Sequence, residues 1–156
     1  MAPTLGQETD RKPPFKFSAF ERVGFSDTDA QGIVYYGRYL PYFDQARVEY
    51  HRHLGLLAVD LGSCEFVMRA SQVVYEAPAR FDDLLEVFVR TRRVGRTSIV
   101  GEYAAYRVDD DALMCTAEQT LVLVDLDERR PFPIPDAYRR VVRRFEGADL
   151  EEAVAR

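Results

Sequence analysis

The chain has 156 residues, 47% hydrophobic and 30% charged, with a formal net charge of −5. That length suits one domain with a sizeable core, and the acidic balance excludes generic nucleic-acid binding. No apolar run reaches bilayer length and no signal-peptide core precedes the first strand pattern, so cytoplasmic residence without a membrane partner is the expectation.

Residues 1–14 are polar and carry Pro3, Pro13 and Pro14, which predicts a disordered tail. From Phe15 onward, Phe15, Phe17, Ala19, Val23 and Phe25 alternate with more polar neighbours, the pattern of a half-buried strand. Residues 26–31 are turn chemistry. A helix starts between 37 and 40, with Pro41 tolerated in its first turn. Tyr39, Tyr42, Phe43, Ala46, Tyr50 and Leu54 share one face of that helix, a stripe wide enough to pack on a sheet. Asp44, Gln45, Val48, His51 and Arg52 fall mostly opposite. Gly55 suits the stop position. Residues 56–63 read as a connection with room for a short helical turn. Strand patterns then follow at 64–74, 84–94, 97–108 and 112–125, separated by Pro78 and residues 80–83, by Gly95, and by residues 109–111. Residues 130–135 are proline-broken coil. Residues 136–145 read as a closing helix, and 147–156 as a frayed acidic tail. Strand, long helix, then a run of strands predicts an α+β fold, an antiparallel sheet with one helix laid across it, in a single domain over 15–146.

Asp27 and Asp29 lie two apart, just before the helix. In extended backbone their side chains point the same way. Both suit turn capping, an interaction on the order of 1 kcal/mol. An acid at a helix N-terminus, with Gly32 and Gly37 loosening the backbone, also suits work on a polarised carbonyl. Asp29, nearer the helix, is the preferred reactive acid. His51 and His53 are the only histidines, and neither completes a nucleophilic triad or an i, i+4 metal pair. Cys64 and Cys115 lack metal-ligand spacing, so no metal site is expected and both thiols are read as reduced. No nucleophile elbow, phosphate loop or dinucleotide fingerprint is present. Hydrolysis on this chain must therefore run on carboxylates and backbone dipoles. Arg92, Arg93 and Arg96 cluster at Gly95 with Thr97 and Ser98, a set suited either to a solvated hairpin end or to phosphate capture. Arg139, Arg140, Arg143 and Arg144 read as a solvated helix face.

The run DTDAQGIVYYGRYLPYFDQARVEY closely resembles the opening motif of the 4-hydroxybenzoyl-CoA thioesterase-like family of hotdog-fold proteins. The shared pattern is Asp-x-Asp, then x-Gly-hydrophobic-hydrophobic-Tyr, then Tyr-Leu and an acidic/Ala-Arg helix. The resemblance covers residues 20–55, extends to the strand order from 64 to 126, and includes the Ile-Pro helix start at 134–135. It implies a curved antiparallel sheet wrapped around the long helix. It implies hydrolysis of acyl-CoA thioesters by a homodimer or homotetramer whose site crosses the interface. No cofactor is implied, since CoA enters as part of the substrate. The family's catalytic acid maps onto Asp29. Seven residues on, some members carry histidine and others tyrosine; here Tyr36 stands, and its N–H matches the oxyanion donor. Gly32, Ile33 and Val34 would line the substrate, and Arg93, Arg96, Thr97 and Ser98 match the CoA-phosphate contacts. The alternative is a non-catalytic acyl-CoA-binding module on the same scaffold. Dehydratase chemistry would want an Asp-His dyad, for which neither histidine is placed.

Overall fold

The computed structural model describes residues 5–153. β1 (Gly6–Glu8) pairs antiparallel with β2 (Phe17–Arg22). A loop with two short 3-10 turns leads into α1 (Tyr39–His53). β3 (Cys64–Tyr75), β4 (Leu84–Val94), β5 (Ser98–Arg107) and β6 (Leu113–Asp125) follow. β7 (Arg130–Pro131), α2 (Asp136–Glu146) and β8 (Glu151–Glu152) complete the described chain. The sheet order is β1-β2-β4-β5-β6-β3, with β7 on β6 and β8 parallel on β4. The main pairings are antiparallel, as the strand-after-strand sequence order predicts.

Alternation decides which face each strand buries. Phe17 and Ala19 of β2, Leu85, Val87 and Val89 of β4, Tyr103 and Ala105 of β5, and Cys115 and Ala117 of β6 form one buried cluster. The apolar stripe of α1 closes that cluster with Tyr39, Tyr42, Phe43, Ala46 and Tyr50. Each fully buried large side chain there contributes about 2–3 kcal/mol. Gly55 ends the helix in the left-handed region, φ 74°, which a side chain at that position would resist. A second cluster, with Val94, Ile99, Leu121, Leu123, Ile134, Tyr138 and Val142, lies under α2. The result is an antiparallel sheet around one long helix, the hotdog fold of the α+β class.

Both ends of the chain depart from the sequence reading. Residues 1–4 lie outside the described residues, but Gly6–Glu8 forms β1 where a disordered tail is expected. A polar strand shows no apolar alternation; it forms because the edge of β2 offers unpaired backbone groups. The segment after it crosses the outer face of the sheet. Arg11 pairs with Glu86, Lys12 reaches Asp111 at 2.8 Å and lies 4.0 Å over the Tyr106 ring, and Phe15 packs on Phe88. At the other end, residues expected to fray form a 3-10 turn (Gly147–Asp149) and β8, while 154–156 lie outside the described residues. Lys16 joins the two ends, bonding the Glu146 carbonyl at 2.9 Å and Asp149 at 2.8 Å.

β3 hydrogen-bonds to β6 along one side only. Among the described residues no strand covers its other edge. Val67, Met68, Val74 and Tyr75 are exposed along it.

Candidate active site

The acid loop runs between the end of β2 and the start of α1. Asp27 is buried and every lone-pair direction is used. Its Oδ2 accepts from Gly24 N–H at 2.8 Å and from the Tyr42 hydroxyl at 2.7 Å. Its Oδ1 accepts two bonds from the Arg38 guanidinium, at 2.9 and 2.8 Å. Burial alone would push its carboxyl up, but Tyr42, the Gly24 amide and Arg38 outweigh burial and hold it below the ordinary range. Asp27 is a structural carboxylate that ties the loop to the first turns of the helix.

Asp29 is half-buried and less engaged. Its Oδ1 accepts one bond, from Gln31 N–H at 2.8 Å. Its backbone closes a tight turn: Asp29 N–H donates to the Ile33 carbonyl at 2.9 Å and Gly32 N–H to the Asp29 carbonyl at 3.0 Å. Gly32 sits at φ 79°, which this turn requires. The turn folds the chain back so that Thr28 bridges Val34 and Tyr35 N–H reaches the Asp27 carbonyl at 2.9 Å. Val34 N–H is anchored on Ala79 at 2.8 Å. Tyr36 then opens a 3-10 turn (Tyr36–Arg38) that runs directly into α1. The first bond of that turn is Arg38 N–H to the Tyr35 carbonyl, so the Tyr36 amide precedes the ladder and is not consumed by it. Asp29, Gly32, Ile33, Val34 and Tyr36 are thereby brought into one loop at the helix N-terminus.

The surrounding groups favour neutral donors. Burial pushes the Tyr39 hydroxyl up to about 12, and burial also raises Tyr75. Tyr75 donates to the Tyr36 carbonyl at 3.1 Å and its ring lies 6.4 Å from that of Tyr36. Burial raises the Cys115 thiol to about 12, which leaves it no role as a nucleophile at neutral pH. His51 lies at the other end of α1, bonded to Tyr138 at 3.1 Å, and burial with Arg47 lowers it to about 4. It is a neutral imidazole packed on α2 rather than on the solvated face expected for it. No group of His, Cys, Asp and Glu with metal-binding geometry occurs among the described residues. No helix among them is long and apolar enough to cross a membrane.

Arg93, Arg96, Thr97 and Ser98 are not brought to this loop within one chain. β4 starts beside it, where Val23 N–H bonds the Asp83 carbonyl, and ends at the Gly95 turn. Eleven strand residues separate the two ends by about 33 Å. At the turn, Gly95 N–H donates to the Ser98 carbonyl at 2.7 Å, and a Cβ on Gly95 would meet Ser98 Oγ at 2.9 Å. Arg92 is committed to Glu102, Glu118 and Glu151, whereas Arg93 and Arg96 are exposed. Arg139, expected on a solvated face, instead donates to the Ile134, Gly95 and Arg96 carbonyls and clamps α2 to the turn. Arg38, Tyr42, Tyr75 and Ala79, which fix the loop, are not apparent from motif spacing, because their contacts cross elements.

The family model of the Thioesterase-like superfamily matches residues 23–142. The acyl-CoA thioester hydrolase YbgC of Escherichia coli is 34% identical over 116 residues, covering 73% of this chain and 86% of that protein. The acyl-CoA thioesterase YbgC of Haemophilus influenzae is 34% identical over 122 residues, covering 76% and 88%. A probable thioesterase from Bartonella henselae superposes with a TM-score of 0.67 at 28% identity over 76% of this chain and 96% of its own. A 1,4-dihydroxy-2-naphthoyl-CoA thioesterase from Synechocystis shares the fold, with a TM-score of 0.73 at 20% identity over 80% and 93%. With the family model spanning most of the chain and these relatives at 34% identity, the chain belongs to the thioesterase-like superfamily and is a hotdog-fold thioester hydrolase.

Proposed function

We propose that the protein hydrolyses acyl-CoA thioesters to a free acid and CoA, with Asp29 as general base or nucleophile and the Tyr36 N–H as oxyanion donor. The observation that carries this is the contrast inside one loop: the Asp27 oxygens are fully spent, while Asp29 keeps one oxygen without a protein donor beside an unspent helix-start amide. As base, Asp29 takes a proton from water as the water oxygen bonds to the carbonyl carbon. The C–S bond then breaks and the proton passes to the departing thiolate. As nucleophile, the Asp29 carboxylate bonds to that carbon and the C–S bond breaks, releasing the thiolate, which takes a proton from solvent. This leaves a mixed anhydride on Asp29 that water cleaves to the free acid and the carboxylate. A thiolate leaves readily, so neither route demands the strong general acid that the loop lacks. No cofactor is needed, since CoA belongs to the substrate.

The working unit proposed is a homodimer or homotetramer. Tyr35, Tyr36 and Tyr75 form an exposed aromatic mouth beside the bare edge of β3, and a second copy paired there would cover both. Gly32, Ile33 and Val34 would contact the thioester end of the substrate. Any contact of Arg93, Arg96, Thr97 and Ser98 with CoA phosphates would come from another copy, because their own chain holds them too far from Asp29. Thiol release from a panel of short, long and aromatic acyl-CoAs tests the activity. Binding without hydrolysis across that panel would replace the enzyme by a binding module. Light scattering that shows only a 17.9 kDa species would remove the shared site.

A further inference from the structure

α1 lies over β2 and β4 and turns its other flank toward β3. β3 runs back along that flank. At one end the Tyr75 ring lies 5.8 Å from Tyr39 and 6.4 Å from Tyr36. At the other, Phe66 lies 5.3 Å from Tyr138, whose ring lies 6.0 Å from His51. Between these two sets of ring contacts α1 and β3 run side by side, from the helix start toward its far end. At the Phe66 end lies a cavity of about 380 Å³ lined by Arg47, His51, Asp60, Glu65, Phe66 and Tyr138 among others.

A polar chain leads from Arg47 into the sheet beneath α1. The Arg47 guanidinium donates to Gln119 Oε1 at 3.1 Å, to the Tyr103 hydroxyl at 3.3 Å and to Asp44 at 2.9 Å. Gln119, only 1% exposed, passes the chain on from its amide nitrogen to Ser71 Oγ at 3.3 Å. Burying such groups costs free energy that apolar side chains of similar size would not. A guanidinium has five N–H donors, and no described residue accepts from the Arg47 Nε–H although the side chain lines the cavity. Asp44, beside which the guanidinium is held, lies eight residues beyond Tyr36, about 12 Å along the helix axis.

On the thioesterase reading above, we propose that this far end selects acyl groups carrying a hydroxyl or carboxylate at their distal end, with Arg47 as the specificity-determining donor. A distal oxygen would take an N–H that the bonds to Gln119, Tyr103 and Asp44 leave over and meet the positive charge. An alkyl end of the same length would desolvate the guanidinium and return no hydrogen bond, which is how polar sites reject an isostere. The thioester end of the substrate lies at Tyr36 in either case, so the choice is made remotely from the reacting carbon.

The test compares kcat/KM for decanoyl-CoA, ω-hydroxydecanoyl-CoA and the mono-CoA thioester of decanedioic acid on the wild-type enzyme. An ω-oxygenated preference of at least about tenfold is expected, since one hydrogen bond to a charged donor discriminates by that much or more. Arg47→Met should collapse the ratio to about one, and Arg47→Lys should give an intermediate ratio. A wild-type preference for decanoyl-CoA, or a variant that loses all three rates equally, would show a purely structural network and overturn the proposal. The wild-type ranking stands whether or not Arg47→Met folds. If no thioester is hydrolysed, the thioesterase reading fails by itself. The same ranking measured as Kd for non-hydrolysable thioether analogues then decides the selectivity.

Discussion

Two regions of the acid loop, Gly24–Asp27 and Asp29–Gly32, solve opposite problems with the same side chain. In the first, a carboxylate is buried and saturated by a backbone amide, a tyrosine and an arginine drawn from three separate positions. In the second, a carboxylate is half-exposed and held by one local amide. Two residues of sequence separate a carboxylate that fastens the loop from the one proposed as the reagent. The difference does not lie in the residue type. It lies in whether α1 and the turn before it, once docked, present donors: Arg38 of that turn and Tyr42 of α1 converge on Asp27, and neither bonds Asp29. A carboxylate whose lone pairs are spent is a poor base, because protonating it breaks bonds that the fold has already made.

The largest expected effect tests the reagent half. Asp29→Asn keeps an oxygen for Gln31 N–H, so the turn should persist, while basicity and nucleophilicity vanish. The expected result is a fall in kcat of at least about 100-fold, the low end for a positioned acid–base group, with thermal stability changed by less than about 1 kcal/mol. Near-full activity would mean that the two halves of the loop do not divide their labour as drawn.

The next effect tests the fastener half, and it should appear in stability. Asp27→Asn turns an amide nitrogen either toward Gly24 N–H and the Tyr42 hydroxyl or toward the Arg38 guanidinium, and the Gly24 amide and the guanidinium can only donate. At least one donor is left facing another donor in a buried place. The expected cost is about 3 kcal/mol, kept below the full value for a buried pair because Arg38 is half-exposed. Urea unfolding measures it. A loss under 1 kcal/mol would show that Asp27 only caps its turn, the role that local sequence alone assigns to it.

That gap between about 1 and about 3 kcal/mol marks what the sequence can and cannot carry. The strands of the sheet and α1 are legible because each writes its own signal: alternation over Cys115–Leu121 of β6, a long apolar-rich run in β4, and the stripe from Tyr39 to Tyr50. The acid loop is legible because turn residues and glycines act over a few positions, and because its motif resembles a known one. Asp27's partners lie 11 and 15 residues away and become neighbours only when α1 docks. The Arg47–Gln119–Ser71 chain spans a helix and two strands, and no spacing rule anticipates it. β1 was hidden for the opposite reason. Gly-Gln-Glu forms a strand through its backbone alone, against an edge supplied by β2.

The smallest effect concerns a third carboxylate, intermediate between the two in the loop. Glu146, at the end of α2, is 1% exposed. Its Oε2 accepts from the Tyr50 hydroxyl at 3.2 Å and from Thr91 N–H at 3.1 Å, but its Oε1 has no partner among the described residues. Burial pushes this carboxyl up to about 7, only partly opposed by Lys16, Tyr50 and the Thr91 amide. The direction is opposite to that of Asp27, because here donors are too few to offset burial. A carboxyl whose folded value lies above its unfolded one binds its proton more tightly in the native state. The stability it contributes is therefore full below about pH 4.5 and is lost as pH rises through about 7. Wild-type stability should fall between pH 5 and pH 7.5 by about 1–2 kcal/mol on this account. Glu146→Gln keeps an oxygen for Tyr50 and Thr91 and cannot ionise, so the stability difference between the two proteins should shift by that amount across the window, the other titrating groups cancelling. Melting curves of both proteins at several pH values decide it. Parallel pH profiles would mean that Glu146 is ionised in the fold and that Lys16, 2.9 Å from the Glu146 carbonyl, compensates its charge.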